Sequence, residues 1–446
     1  MPKFPIPRET QRFLLTIALM AVVLSIGLTA YRIVRAHQTP GPFDPARQGF
    51  CDFQNGVYFP SLAFRHGLSP YGQQYAREYP VERSIPFFSP AIVAAHVPFT
   101  WLSLPVAECL YFIGMLLLIA AIASLTAQWT TRSVSAAAEA CMLDNRLSTR
   151  LVFAAVVLAL VTTRGGQQTL FTGYFTFELV LASLLAVHYA RSRPWLSACA
   201  LIVVSAKPNY VLPLALLMLC RGNVKAVLAG GVLSAALAIA AFAWIMPPGG
   251  ASELLEQIQQ TQDIHRGDAV ERPINTWIRV DILAIVAKWT ESDPAELATL
   301  LVMLGFLIPA GVMISRREFG QSSASHTHTA IDLSGTVILL TALVSVYHHV
   351  YDALTLLAPA AALAIGAHTD WQAMRPRGRM LLCGLLLAPG ANYLSSQKFL
   401  AAWTPESPVY MLLTSVNAVL LFIAWLWLLV LLYRQTSGER ATCSRS

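Results

Sequence analysis

Charged side chains are scarce in this chain of 446 residues: Asp, Glu, Lys and Arg make up only 12%, whereas 56% of the residues are hydrophobic. An ordinary soluble domain has about a quarter charged residues, and a globule with so few could not cover its surface with polar groups. The composition therefore excludes a typical soluble protein. It predicts a polytopic, all-α membrane protein.

Other common signatures are absent. The seven cysteines are scattered and none forms a CxxC pair, which argues against a disulfide framework and against a cysteine metal site. The sequence also has no Rossmann glycine pattern, no P-loop and no detectable internal repeat. We therefore expect no cofactor and no bound metal. The net charge of +7 does not indicate nucleic-acid binding, because Lys and Arg fall mainly in short links between apolar runs.

A membrane-spanning helix needs about 20 apolar residues. Runs of this kind lie near 13–34, 105–127, 150–164, 169–190, 224–246, 295–315, 331–346, 353–367, 379–394 and 409–433. The first run has no small-residue cleavage site after it, so we interpret it as a retained signal anchor. Residues 195–220 are broken by Lys207-Pro208 and predict two short helices in a hairpin. Residues 87–102 suit a half-buried or re-entrant helix.

Counting the hairpin as two spans gives about twelve, with both termini on the cytoplasmic side. We treat residues 1–446 as a single membrane domain. Its polar segments at 35–86, 247–294 and 347–352 then face outward, the first as an outer loop with amphipathic helices and the second as another outer loop. Lys207 and Gln167 should lie near the same face. Polar groups that converge on one side of a membrane protein indicate a functional site there.

The first candidate is Asp52, in the stretch "GFCDFQNGVYFP" at 49–60. Such a carboxylate commonly caps the N-terminus of a helix, here one beginning near Phe53. A carboxylate at the boundary of water and lipid can also accept a proton during catalysis. The two roles are compatible.

The second candidate is "YHHVYD" at 347–352. A helical conformation would place His348 and Asp352 on one face, together with Tyr347 and Tyr351, while His349 pointed aside. Phosphate binding or orientation of a substrate hydroxyl is favoured over a metal site, because no further His or Cys stands at ligand spacing.

Two further motifs have an ordinary and a functional interpretation. Lys207 could extend its ammonium group to the membrane surface, or it could pair with a phosphate. Gln167 belongs to "RGGQQ" at 164–168, which could be a flexible turn with exposed amides or part of the site.

Taken together, these motifs resemble glycosyltransferase family 87, the polyprenol-phosphate-dependent mannosyltransferases of the GT-C superfamily. The likeness runs through Asp52-Phe53, "LAFRHGLSPYG" at 62–72, "FFSPAIVAAHVPFTWLSLPVAE" at 87–108, Lys207-Pro208 and "YHHVYDALTLLAP" at 347–359. Ser89 stands where the family more often has a proline, and residues 247–300 depart from the family pattern.

The resemblance implies a GT-C bundle with a catalytic outer loop between the first two spans. It also implies transfer of a hexose, mannose in this family, from a polyprenyl-phosphate sugar to a lipid or glycan acceptor at the outer face. Asp52 would match the general base. His349 or His348 would lie near the lipid phosphate, with Lys207, Tyr351, Asp352 and Gln167 as further candidates for donor binding. Membrane lipids are the expected surroundings.

Two alternatives remain open at this stage. One is a transporter or flippase for lipid-linked sugars, although such folds usually show internal repeats. The other is a lipid-linked glycan ligase or polymerase, for which the outer segment 247–294 supplies His265, Arg266 and Arg272.

Overall fold

Helices form almost all the regular structure of the computed structural model, which describes residues 8–37, 48–81, 85, 88–137, 145–267, 272–320 and 329–443. The all-α prediction is confirmed, because within these residues the only extended pairing is an isolated antiparallel bridge between Arg279 and His349. The predicted outer loop 35–86 is described only in part, since residues 38–47, 82–84 and 86 lie outside the described residues.

The helices follow one another along the chain with short connections. The first twelve are α1 (Arg8–Arg35), α2 (Cys51–Phe53), α3 (Phe59–Arg65), α4 (Gln73–Glu78), α5 (Pro90–Ala95), α6 (Leu104–Ala137), α7 (Asn145–Thr162), α8 (Arg164–Thr172), α9 (Thr176–Tyr189), α10 (Pro194–Val204), α11 (Pro208–Cys220) and α12 (Val224–Trp244). The others are α13 (Gly250–Gly267), α14 (Ile282–Thr290), α15 (Glu296–Gly320), α16 (Leu333–Ser345), α17 (Leu357–Ile365), α18 (Thr369–Gln372), α19 (Pro376–Ala391), α20 (Gln397–Leu400) and α21 (Pro408–Cys443). A π-helical turn, Gln54–Tyr58, joins α2 to α3, and 3₁₀ turns span Val97–Trp101, Asp352–Leu356 and Tyr393–Ser395.

Five helices are long and apolar enough to cross a membrane: α1, α6, α12, α15 and α21. The pair α7 and α8 adds a sixth crossing if it is counted as one span, and it bends by 65° at its break. Shorter apolar helices are α9, α10, α11, α16 and the stretch Asp352–Ile365. The structure is therefore that of a membrane protein with five or six long spans among the described residues.

The breaks between helices confirm one prediction and correct another. α10 ends at Val204 and α11 begins at Pro208, so the helix is interrupted at Lys207-Pro208 as predicted. The "RGGQQ" stretch is not a flexible turn, because it forms the start of α8. Thr163 caps that helix by accepting a hydrogen bond from the Gly166 N–H. The predicted spans at 150–164 and 169–190 are accordingly three helices, α7, α8 and α9.

The centre of the bundle is α16, in which every residue is buried. It packs against α11, α15 and α21. Close helix packing replaces the hydrophobic effect as the source of cohesion within lipid, and small residues permit it. Gly230 of α12 shows this, because a Cβ atom there would stand 2.9 Å from Leu201 Cβ of α10.

Buried ion pairs hold one end of this bundle. Arg221 follows α11 and binds the Asp332 carboxylate, while Arg317 near the end of α15 donates to Asp370 at 2.7 Å. Asp370 also accepts the Leu333 N–H at the start of α16, at 2.9 Å. These charges lie at the ends of α11, α15 and α16 opposite to Lys207, which directly precedes α11. The other end of the same helices is thus left to form a site.

Candidate functional site

A cavity of about 890 Å³ lies where the segments predicted to face outward meet. Its wall includes Asp52, Lys207, His349 and Tyr351, which are four of the seven candidates from the sequence. Side chains of α13, α14 and the start of α15 complete the wall. Segments separated by hundreds of residues in the chain therefore share one space.

Asp52 reaches the cavity from the first turn of α2. The residue at the N-cap is Phe50, so the prediction that Asp52 caps this helix is wrong. Phe50 adopts a left-handed conformation with φ 62°, and its N–H donates to Phe171 O at 2.8 Å. One turn later, buried Gln54 donates to Glu108 at 2.7 Å. Asp52 is thus carried by a helical segment anchored on both sides.

Lys207 is held by a buried carboxylate and two aromatic rings. Its Nζ donates to the two carboxylate oxygens of Asp352 at 3.1 and 3.4 Å. It also stands 4.9 Å from the ring centre of Tyr174 and 5.1 Å from that of Tyr351. The two side chains therefore form an ion pair at the cavity wall.

The motif "YHHVYD" is not helical, which corrects the arrangement expected for a helix. Residues 346–351 run as an irregular turn, and the Val280 and Val350 N–H groups donate to His348 O and Ile278 O at 2.9 and 2.7 Å. This pairing turns His349 toward the cavity instead of aside. Its N–H donates to Asp352 at 3.0 Å, so the same carboxylate fixes both His349 and the Lys207 ammonium.

The ring of His349 contacts a tyrosine hydroxyl at each nitrogen. Nε2 lies 2.6 Å from the Tyr347 hydroxyl, and Nδ1 is within hydrogen-bond distance of the Tyr351 hydroxyl. A neutral imidazole has one N–H donor and one acceptor nitrogen, so one tyrosine accepts from the ring and the other donates to it. The ring is therefore oriented from both sides.

His348 points away from the cavity and is fully buried. Its Nδ1 lies 3.0 Å from Val346 O and so carries the hydrogen, while among the described residues Nε2 has no hydrogen-bond partner. Burial lowers the pKa of His348 to about 4. Of the two neighbouring histidines, His349 is the one at the cavity.

Gln167 also lies outside the cavity wall. Its amide nitrogen donates to Ser25 Oγ at 2.8 Å, and its amide oxygen accepts from the Thr29 hydroxyl at 3.1 Å. Both partners belong to α1, so Gln167 joins α8 to the first long helix.

The cavity wall also contains residues that were not selected from the sequence, among them Arg279, Tyr174 and Asn209. Arg279 makes a bidentate ion pair with buried Asp281, both contacts at 2.8 Å, and stacks over Tyr347 at 4.7 Å. Asn209 donates to Tyr347 O at 2.7 Å. An arginine and an aspartate two residues apart in "WIRVD" were the available signal, because two charges next to an apolar helix suggest a buried pair.

Fold and cavity together define an integral membrane protein with a polar site at one end of its helical bundle. The family model of glycosyltransferase family 87 matches residues 87–345, more than half of the chain, and the protein belongs to this family. It is therefore a membrane glycosyltransferase, whose substrates are a sugar donor and an acceptor. No curated protein and no solved structure gives a significant match.

The matched segment contains Lys207 but neither Asp52 nor the 347–352 motif. It ends at Ser345, two residues before Tyr347. Folding thus brings residues from both sides of the matched segment to the cavity formed around Lys207.

Proposed function

We propose that the protein is an inverting glycosyltransferase that moves a hexose, mannose by family resemblance, from a polyprenyl-phosphate sugar to a lipid or glycan acceptor. The observation that carries this proposal is the shared cavity, whose wall includes both Asp52 and Lys207. A donor that is already activated needs no nucleotide site, and its polyprenyl tail accounts for an enzyme embedded in lipid.

Asp52 is the general base of the proposed reaction. It takes the proton from an acceptor hydroxyl as that oxygen attacks the anomeric carbon. The bond from this carbon to the phosphate oxygen breaks, and its electron pair stays on the leaving phosphate. A positioned base contributes roughly 10²–10⁴ in rate.

The reaction also requires a group that stabilises the negative charge developing on the leaving phosphate. Lys207 is the cation assigned to this role. The Tyr351 hydroxyl beside it can donate to the phosphate while it accepts from the His349 ring, so His349 orients this donor. Asp352 holds Lys207 and the His349 backbone, so it acts by positioning both. Gln167 and His348 do not line the cavity, and we assign them a structural role in holding the segments that do.

The proposed topology has about twelve crossings of GT-C type, with the site at the outer face of a bacterial plasma membrane and both termini inside. The five long helices, the bent pair α7–α8, the five shorter apolar helices and α19 together supply twelve segments. The placement of Arg221 and Arg317 at the end opposite to Lys207 supports it, because basic residues are enriched on the cytoplasmic side. The segments 35–86 and 247–294 are then the outer loops of one domain.

Transfer of radiolabelled sugar from synthetic polyprenyl-phosphate-mannose to a membrane lipid extract tests the proposal with purified wild type and Asp52→Asn. We expect Asp52→Asn to lose about 10²–10⁴-fold in turnover, while donor binding and thermal stability are retained. Asp263→Asn is the matched control, since it removes an exposed carboxylate of α13 that is not part of the cavity wall. Undiminished transfer by Asp52→Asn would show that Asp52 is not the general base. No transfer by well-folded wild type from any polyprenyl-phosphate sugar would refute the proposed class of donor.

A further inference from the structure

The short helix α8 lies between two sharp changes of chain direction. At its start the chain bends by 65° from α7, and at its end Gly173 adopts a left-handed conformation with φ 75°. Nine residues of helix span only about 14 Å, which is less than half of a bilayer core. α8 therefore does not cross the membrane by itself. Its two ends instead contact the two sides of the cavity.

The carboxyl end of α8 contacts the segment that carries Asp52. Phe171 O accepts the hydrogen bond from the Phe50 N–H. A Cβ atom at Gly173 would stand 2.7 Å from Phe53 Cβ and 3.2 Å from Phe50 Cδ1. Real Cβ atoms essentially never approach another atom within 3.0 Å, so any side chain at Gly173 would push the residues on either side of Asp52 away from α8.

The amino end of α8 contacts the turn that carries His349 and Tyr351. A Cβ atom at Gly165 would stand 2.8 Å from Tyr351 Cα and 3.2 Å from Val350 O. Both neighbours are backbone atoms, which cannot yield by changing a rotamer. Buried Arg164, next to Gly165, is hydrogen-bonded to Ser395 beyond α19, which anchors this end of the helix in the bundle.

From these contacts we propose that α8 is the positioning element of the site, a rigid spacer that sets the distance between Asp52 and the Lys207–Tyr351 wall. The inference rests on the proposed function for the roles of those residues. A base that must reach an acceptor hydroxyl while the phosphate is held elsewhere requires both groups at a fixed separation, and displacement by about 1 Å can cost 10²-fold in rate. Gly165 permits the close contact with the backbone of Val350 and Tyr351, and Gly173 permits the close contact with the Phe50 and Phe53 side chains. These two contacts fix the separation.

The test compares two glycine substitutions with matched controls. Gly173→Ala is paired with Gly222→Ala, because Gly222 has a similar φ of 82° but no atom within 4 Å of its Cβ position. Gly165→Ala is paired with Gly114→Ala, a helical glycine with equally open surroundings. We expect Gly173→Ala to lose about 10²-fold in kcat with little change in donor KM, and Gly165→Ala to raise donor KM about tenfold. Both controls should stay within about twofold of wild type.

A second readout reports position without relying on activity. Cys51, next to Asp52, is fully buried. Peptide mass spectrometry after treatment with N-ethylmaleimide should find Cys51 unlabelled in wild type and Gly222→Ala, and labelled in Gly173→Ala. If Gly173→Ala does not fold, Phe50→Gly replaces it: glycine adopts φ 62° freely and keeps the N–H to Phe171 O, but it removes the ring that packs on Gly173.

Equal kinetics of the glycine variants and their controls, with an active wild type, would overturn the positioning role. The positioning role would also be overturned if Phe50→Gly had an unchanged kcat and an unlabelled Cys51. If wild type transfers no sugar, the proposed function fails independently of the positioning role. Labelling of Cys51 then decides whether α8 sets the position of the Asp52 segment. A Cys51 that stays unlabelled in Gly173→Ala would refute that role.

Discussion

The ion pair between Lys207 and Asp352 allows a prediction of stability from the burial of its two side chains. The Lys207 side chain is 8% exposed and that of Asp352 is 2% exposed. Asp352→Asn keeps the shape of the side chain but leaves the ammonium without its counter-charge. Removing one partner of a buried ion pair typically costs about 3–5 kcal/mol, because an uncompensated charge stays buried.

The two tyrosine rings beside Lys207 do not remove this cost. Cation–π contacts contribute about 0.5–2 kcal/mol each, less than the desolvation penalty of the ammonium. We therefore expect Asp352→Asn to lower the free energy of unfolding by about 3 kcal/mol or more. The double variant Lys207→Met with Asp352→Asn should recover part of the loss, because the unpaired charge is gone.

Denaturant titration in detergent, monitored by circular dichroism, measures these differences in the free energy of unfolding. Asp293→Asn is the matched control: it breaks the Arg272–Asp293 pair, whose side chains are 46% and 33% exposed, and should cost no more than about 1 kcal/mol. The reasoning is refuted if Asp352→Asn is no less stable than Asp293→Asn, or if adding Lys207→Met to Asp352→Asn restores nothing.

Two other predictions concern stability. Burial lowers the folded-state pKa of His348 from 6.5 to about 4, so the neutral ring favours folding above pH 6.5 and this contribution is lost as the pH falls toward 4. Wild type should lose about 3 kcal/mol over that window relative to His348→Asn, as midpoints of unfolding at stepwise pH will show; parallel pH profiles would contradict this. Gly230→Ala should cost about 1–3 kcal/mol, because its new methyl group would collide with Leu201 Cβ. The adjacent Gly231→Ala has open space and should be neutral or stabilising, so equal unfolding midpoints for the two variants would refute the packing argument.

Much of the architecture follows from local properties of the sequence. Low charge and long apolar runs determine a helical membrane protein, because an unpaired backbone group in lipid costs several kcal/mol and a helix satisfies its own. The break at Lys207-Pro208 is equally local, since proline at the first position of a helix lacks only a hydrogen that would be unpaired there. The sequence also directed attention to Asp52 and to "YHHVYD", as polar groups out of place among apolar neighbours.

Which of these polar residues meet was decided by the tertiary structure alone. His348 and His349 are neighbours of identical type, and only the backbone pairing with residues 278–280 turns His349 to the cavity and His348 into the core. Arg279 reaches the same wall by that pairing. Two glycines usually mark a turn, one of the two interpretations of residues 164–168, whereas here they stand in a helix and Gly165 permits contact with the distant backbone of Val350 and Tyr351. Composition and spacing act over a few residues, but a site assembled across 300 residues of chain depends on contacts between segments, and no local pattern encodes them.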